Sequence, residues 1–180
     1  MRRMQGSQAS GPTIPVPRIM SALRALGIDP SLTNTGVVIL KDGELEYVGV
    51  IKTTTDDSMG DRLARIQCAI DRVIRCNPAL HIAAVEDPAH ARNTSIANKL
   101  GAAWGAALTA CSLARLDPHS VKVTEHRKAW GTQSKAEAVA LIRTRWPELM
   151  RYPDDAADAA SVAWWASERL ACAIADQADQ

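Results

Sequence analysis

The sequence predicts a mixed α/β fold: three antiparallel strands in a meander, then further strands joined through helices, making one five-stranded sheet flanked by helices. Three observations carry the prediction. Asp42-Gly43 stands between two short apolar segments, and an Asp-Gly pair supplies the positive φ angles of a type I′ hairpin turn. Further along, apolar residues recur at helical spacing in several long stretches. Between two of these lies the short apolar run 82–85, which suits a buried strand.

Taken in order, residues 23–28 read as an apolar strand running into Asp29-Pro30, and 37–40 as a second strand. Residues 45–51 alternate apolar and polar as the strand returning from the turn at 41–44. Ser58 and Asp61 have the spacing of a helix start. Met59, Leu63, Ile66, Ile70, Val73 and Ile74 then recur at helical spacing, with Arg62, Arg65, Asp71 and Arg72 between them. After Asn77-Pro78 the strand 82–85 ends at Glu86. Residues 94–115 suit a second helix, with Gly101 and Gly105 four apart on one face. A fifth strand is expected at 120–124. Ser134 and Glu137 form a capping box opening a helix that runs to about Arg145, and Pro153-Asp154 start a last helix to about Ile174. Strands that alternate with helices after the meander imply that the first, fourth and fifth strands are parallel, with right-handed crossovers.

Composition excludes several classes. A hydrophobic fraction of 47% and a charged fraction of 23% belong to an ordinary globular chain, not a disordered one. No stretch approaches the roughly 18 consecutive apolar residues of a membrane span, so no membrane partner is expected. Residues 1–20 carry Arg2, Arg3 and Arg18 without an apolar run, and Pro12, Pro15 and Pro17 interrupt them. They read as a disordered tail and not as a secretory signal, with Met20 as a candidate translation start. Cys68, Cys76, Cys111 and Cys172 form no CxxC pair and fall within apolar helical patterns, which fits small buried residues in a reducing cytoplasm. His81, His90, His119 and His126 have no zinc-like spacing and read as surface or core residues.

The net charge of +1 conceals a segregation. Residues 1–28 hold four bases and no acid, 29–91 six bases and ten acids, 92–151 ten bases and four acids, and 152–180 one base and six acids. A basic middle between acidic flanks is what a phosphate-binding surface beside a metal-binding carboxylate cluster requires. Solvated faces produce similar clustering, so charge alone does not decide.

Four acids stand out by position. Asp29 ends the first strand and Glu86 the fourth, and in this topology those strands are neighbours, so both carboxylates project from the same end of the sheet. Asp155 and Asp158 are three apart at the start of the last helix, on the stripe that continues through Val162, Trp165 and Arg169 and that faces the sheet. Burying carboxylates together costs several kcal/mol unless something positive neutralises them. Asp and Glu oxygens suit Mg²⁺ or Mn²⁺. A structural role is the alternative, because acids in a first helical turn also favour the helix dipole.

These residues carry a resemblance. Leu26-Gly27-Ile28-Asp29-Pro30-Ser31 followed by Thr33-Asn34-Thr35-Gly36 resembles the opening motif of the RuvC family of Holliday-junction resolvases. Val85-Glu86-Asp87-Pro88, Asn93 and Lys99-Leu100-Gly101 are similar to that family's second motif, and Asp155-Ala156-Ala157-Asp158-Ala159 to its closing aspartate pair. The likeness spans about residues 22–170, with the motifs in the family's order. It implies an RNase H-like nuclease domain over 21–175, between the tail at 1–20 and a short C-terminal tail at 176–180. It also implies a cytoplasmic homodimer and metal-dependent symmetric cleavage of four-way DNA junctions in recombination and repair. A recombination helicase is a candidate partner. The cofactor implied is Mg²⁺, with Mn²⁺ as a substitute and two ions per site. Asp29, Glu86, Asp155 and Asp158 become the catalytic metal ligands. Lys128 or Lys135 matches the family's basic residue that assists catalysis; Lys128 is the first candidate and the choice between them is open.

Arg92, Asn93, Lys99, Lys122, Arg127, Lys128 and Lys135 are the candidate DNA contacts, with a solvated helix face as the alternative for the charged ones. Gly101, Trp104 and Gly105 suit either a dimer seam or core packing. The chain departs from the family at Ala89, where an aromatic often stacks on an unpaired base, and the chain has no Phe. Weak sequence preference follows, or another wedge such as His90. The loop between Trp130 and Ser134 is also shorter than the family's. A related nuclease for other branched DNA or structured RNA, and a non-cleaving branched-DNA binding protein, are the competing readings. An actin-like sugar kinase, suggested by the segment from Asp29 to Gly36, needs about twice the chain.

Overall fold

Asp42 and Gly43 take φ of 52° and 79° in the computed structural model, both on the positive side that a type I′ turn needs. They join β2 (Asn34–Lys41) to β3 (Glu44–Lys52). The structure describes residues 22–88 and 94–178. With β1 (Arg24–Asp29), β4 (Ile82–Asp87) and β5 (Pro118–Lys122), these strands make one five-stranded sheet in the order β3-β2-β1-β4-β5. The first three strands are antiparallel, β4 runs parallel to β1, and β5 runs parallel to β4. The mixed sheet expected from the sequence is therefore present, with its strand orientations.

The two-residue period of the strands sorts side chains between two helical layers. Leu26, Ile28, Val37, Ile39, Ala83 and Val85 pack under α1 (Met59–Cys76) and α2 (Thr94–Leu113), against Ile66, Ile70, Ala103, Ala107 and Ala110. Val38 and Leu40 meet the other layer, made of α4 (Lys135–Arg145) and α5 (Asp154–Ala178). Ala25, Ala84 and Val121 also face α5, through Val162 and Ala166. Gly27 and Gly36 let α5 settle close. A Cβ on Gly27 would collide with the backbone of Ala159 and Ala163, and one on Gly36 with the Asp155 carbonyl. Trp130, Trp146 and Trp164 fill the far side of this layer edge to face, and Trp146 Nε1 donates to the Gly43 carbonyl at 3.3 Å.

Caps set the helix starts as the sequence suggests. Ser58 Oγ accepts from the Asp61 amide at 3.2 Å, and Ser134 Oγ from the Glu137 amide at 3.4 Å. Several elements differ from expectation. β5 lies two residues earlier than expected: it pairs with β4 from Ala83–Pro118 to Asp87–Lys122 and ends where β4 stops, ahead of a proline that has no amide to donate. Val123 and Thr124 instead open a helix the sequence reading lacks, α3 (Val123–Lys128), and a 3₁₀ turn occupies Pro147–Arg151. α5 runs on to Ala178, beyond the boundary drawn at 176.

Burial corrects three further readings. The buried stripe of α1 is Arg62, Ile66, Ile70 and Ile74, four residues apart, so Cys68 and Cys76 turn to water and Met59 is exposed. Cys172 is exposed as well, and Cys111 alone is buried, which pushes its thiol up to about 12. Arg62 is buried because its guanidinium donates to Thr53 Oγ1 and to the Leu32 carbonyl, tying α1 to the loop after β1. Arg169 does not face the sheet: it is exposed and lies over the Trp165 ring, 4.9 Å from its centroid. Among the described residues no helix is long and apolar enough to cross a membrane.

Gly36→Ala is expected to cost about 1–3 kcal/mol, the range for forcing an extra carbon into a packed contact. Urea denaturation measures it, and an unchanged midpoint would show that α5 can lift without penalty.

Candidate active site

Alternation places Gly27 and Asp29 on the α5 face of β1, and Ala84 and Glu86 on the same face of β4. The register pairs Ile28 with Val85, so Asp29 and Glu86 sit side by side just beyond it, at the carboxyl ends of two parallel strands. The first two turns of α5 cross this end of the sheet and bring Asp155 and Asp158 to them. Asp158 is buried, Asp155 and Asp29 are half-buried, and the Glu86 side chain is 18% exposed. All four acids singled out in the sequence converge.

Their charges act on one another. Burial pushes the Asp29 carboxyl well above the usual range, and repulsion from Glu86, Asp158 and Asp155 adds to it, with Lys135 as the partial counterweight. Asp155 is also raised, chiefly by burial, against the pull of its own helix amide and of Lys135. Lys135 Nζ lies 2.7 Å from Asp158 Oδ2. Burial works against that ammonium, but the bond to Asp158 and the nearby Asp29 outweigh it and raise its pKa. Arg127 stands 3.8 Å from Asp158 Oδ1, too far for a hydrogen bond, and that buried oxygen has no hydrogen-bond partner. Among the described residues no three acids or histidines already hold a ligand geometry. The donor set still fits a hard divalent cation: four carboxylates, an orphaned buried oxygen and too little positive charge.

Of the two candidate catalytic lysines, the structure brings Lys135 to the carboxylates. Lys128 is exposed in the last turn of α3. Lys122 is exposed at the end of β5, and Lys99 lines a cleft with Ser31, Thr33 and Arg62 just beyond Asp29. Arg127 is half-buried and turned toward Asp158. Arg92 and Asn93, with Ala89 and His90, lie outside the described residues. A Cβ on Gly101 or Gly105 would meet nothing within 4 Å, which removes core packing as their role, while Trp104 packs partly against the core.

Sequence reasoning missed two residues at this site. His126, taken as a surface or core residue, is buried with Nε2 2.9 Å from Glu86 Oε2 and Nδ1 2.8 Å from Ser161 Oγ. Ser161 stands one turn after Asp158 on the inward face of α5, a spacing that could have flagged it. His126 carried no such signal, since it rests on the unforeseen α3.

The family model described as "Crossover junction endodeoxyribonuclease RuvC" matches residues 25–165. A relative bearing that description in Hyphomonas neptunium is 34% identical over 157 residues, 82% of this chain and 92% of its own. One in Roseiflexus sp. is 32% identical over 154 residues, 80% and 90% of the two chains. The solved Thermus thermophilus RuvC structure aligns with a TM-score of 0.66 at 25% identity, over 79% of this chain and 92% of that one. A second, described as T. thermophilus RuvC in complex with Holliday junction substrate, aligns with a TM-score of 0.70 at 24% identity, over 79% and 91%, and shares the fold.

The raised Asp29 pKa fixes the sign of a pH effect. Folded Asp29 keeps a proton that the unfolded chain releases near pH 4, so its contribution to stability falls as pH rises through that window to the raised folded value. Asp29→Asn in EDTA is therefore expected to gain in Tm over wild type from about pH 4 upward and then level off. Thermal denaturation from pH 4 to 8 checks this, and a constant difference between the two proteins would contradict it.

Proposed function

This chain belongs to the RuvC family of crossover junction endodeoxyribonucleases, and on that premise we propose how its residues resolve a four-way DNA junction. The observation that carries the proposal is the convergence of Asp29, Glu86, Asp155 and Asp158 from three separate elements, with one buried oxygen of Asp158 unpartnered. Family membership makes the enzyme a metal-dependent nuclease. The four carboxylates would hold Mg²⁺, two ions per site with Mn²⁺ as a substitute, which when bound supply an activated water and charge stabilisation for in-line displacement at a phosphodiester. Water adds to phosphorus, the bond to the 3′-oxygen breaks, and a 5′-phosphate and a 3′-hydroxyl remain. Lys135 steadies Asp158 and offers positive charge where negative charge grows on the phosphate.

Lys99 in the cleft beside Ser31, Arg127 near Asp158, Lys122 at the end of β5 and Lys128 on the exposed last turn of α3 are the proposed phosphate contacts. These ammonium and guanidinium groups would draw a negatively charged backbone that the carboxylates alone would repel. Junction DNA as the substrate is supported by the solved relative that carries a Holliday junction. Two such sites nick two strands symmetrically if the protein is a homodimer. The open face of α2 around Gly101 and Gly105 is where a second copy could approach closely.

One gel tests the proposal: a synthetic four-way junction, a linear duplex and a structured RNA, each with Mg²⁺ and with EDTA. Paired nicks in the junction alone, lost in EDTA, are expected; cutting of RNA or of any flap would reassign the substrate, and binding without cutting would remove the enzymatic reading. Asp29→Asn, Glu86→Gln and Asp158→Asn should each lower cleavage by about 10³-fold or more, as expected for losing several kcal/mol of metal-assisted stabilisation. Gel-shift affinity for the junction should hold or tighten in these variants. Lys135→Ala should lower the cleavage rate by about 10²–10³-fold. Lys128→Ala should spare the rate, weaken binding alike for all sequences, and reduce the slope of log affinity against log salt by about 1.

A further inference from the structure

Glu86 is held by a side chain that none of the roles above uses. His126 is fully buried between β4 and α5, and each ring nitrogen has one partner, Glu86 Oε2 at 2.9 Å and Ser161 Oγ at 2.8 Å. An ionised glutamate only accepts hydrogen bonds, so Nε2 carries a proton and donates. Nδ1 then accepts from the Ser161 hydroxyl, or donates to it when the ring is charged, and the ring stands in the same place either way. Three elements meet in this chain of contacts: β4 through Glu86, α3 through His126, and α5 through Ser161, one turn after Asp158.

We propose that His126 is the positioning residue for Glu86, clamping Oε2 so that Oε1 is left for the cation, with Ser161 holding the imidazole in register. The inference rests on the metal-dependent reading of the cluster. Glu86 is the longest and most flexible of the four ligands, and it comes from a strand and not from α5, so nothing in the α5 backbone orients it. Without the clamp its carboxylate can turn toward or away from Asp29. Through Ser161 the clamp also links Glu86 to the helix that carries Asp155 and Asp158, so the ligands from sheet and helix are set together. Partners of this kind behind a metal ligand change metal affinity or activity by about 10–100-fold when removed.

The test uses the full chain and Mn²⁺ alone as the probe, with free Mn²⁺ followed by electron paramagnetic resonance and junction affinity measured separately in EDTA. His126→Val is expected to weaken Mn²⁺ binding by about 10–100-fold while junction affinity in EDTA stays within twofold. His126→Gln, which restores an N–H donor, should recover at least half of that loss on a logarithmic scale, and Ser161→Ala should lose severalfold. Mn²⁺ affinity in His126→Val within twofold of wild type would overturn the proposal, as would His126→Gln no better than His126→Val. If His126→Val does not fold, Ser161→Ala decides: a loss of threefold or more supports the clamp, and a smaller one overturns it. Wild type that fails to bind Mn²⁺ would overturn the metal reading and the clamp together. Wild type that binds while Glu86→Gln does not, with the His126 and Ser161 variants unchanged, would overturn the clamp alone.

Discussion

The close seating of α5 on β1 and β2 is the constraint on which the rest of the structure depends. It is made by two glycines, Gly27 and Gly36, whose missing side chains give room to the backbone at Ala159, Ala163 and Asp155. The inward face of α5 answers with small residues: Ala156, Ala159, Ala160, Ala163 and Ala166 are all fully buried. Backbone therefore rests nearly on backbone, and side chains at the edge of the contact have no freedom to splay apart. Asp155 and Asp158 sit at that edge, over the ends of β1 and β4. The packing that stabilises the fold is the same packing that crowds the four carboxylates.

Burial first, and repulsion among the crowded acids second, raise Asp29 and Asp155. Lys135 offsets part of the repulsion at Asp158. Arg127 stops at 3.8 Å. The remaining imbalance is why an acidic cluster of this kind is legible as chemistry and not as surface decoration. His126 adds a second kind of control, by direction and not by charge, because a hydrogen bond at one carboxylate oxygen decides which oxygen remains available.

The segregation of charge along the chain takes its meaning from topology. Acids come from the strand ends near 29 and 86 and from the start of α5, while bases come from α2, β5, α3 and α4. Parallel strands put Asp29, Glu86 and Lys122 at one end of the sheet, where the start of α5 and Lys135 of α4 join them, while Arg145 of the same α4 pairs with Glu44 beside the hairpin at the other end. Ligands of open α/β sheets commonly bind at the carboxyl edge. The family match over residues 25–165 includes all four acids.

By itself the sequence determined the elements whose signals are local: the Asp42-Gly43 turn, the caps at Ser58 and Ser134, the alternation of the strands, and the helical stripe carrying Asp155 and Asp158. Those signals lie within a few residues of one another, so periods of two and 3.6 suffice to read them. The strand-end positions of Asp29 and Glu86 were legible for the same reason, while the parallel order that makes them neighbours followed from the alternation of strands and helices and the right-handed crossover it requires. Tertiary structure alone decided the rest. The end of β5 and the start of α3 depend on where β4 stops. The burial of Arg62 depends on oxygens of Leu32 and Thr53 coming within its reach, and the exposure of Cys68 and Cys76 on which stripe of α1 meets the sheet. Lys135, and not Lys128, reaches the acids because the start of α4 lies against Asp158, whereas the packing of α3 through His126 leaves Lys128 exposed. His126 meets Glu86 across 40 positions of sequence and Ser161 across 35. Such contacts are set by sheet register and by the depth at which a helix seats, neither of which any single segment encodes.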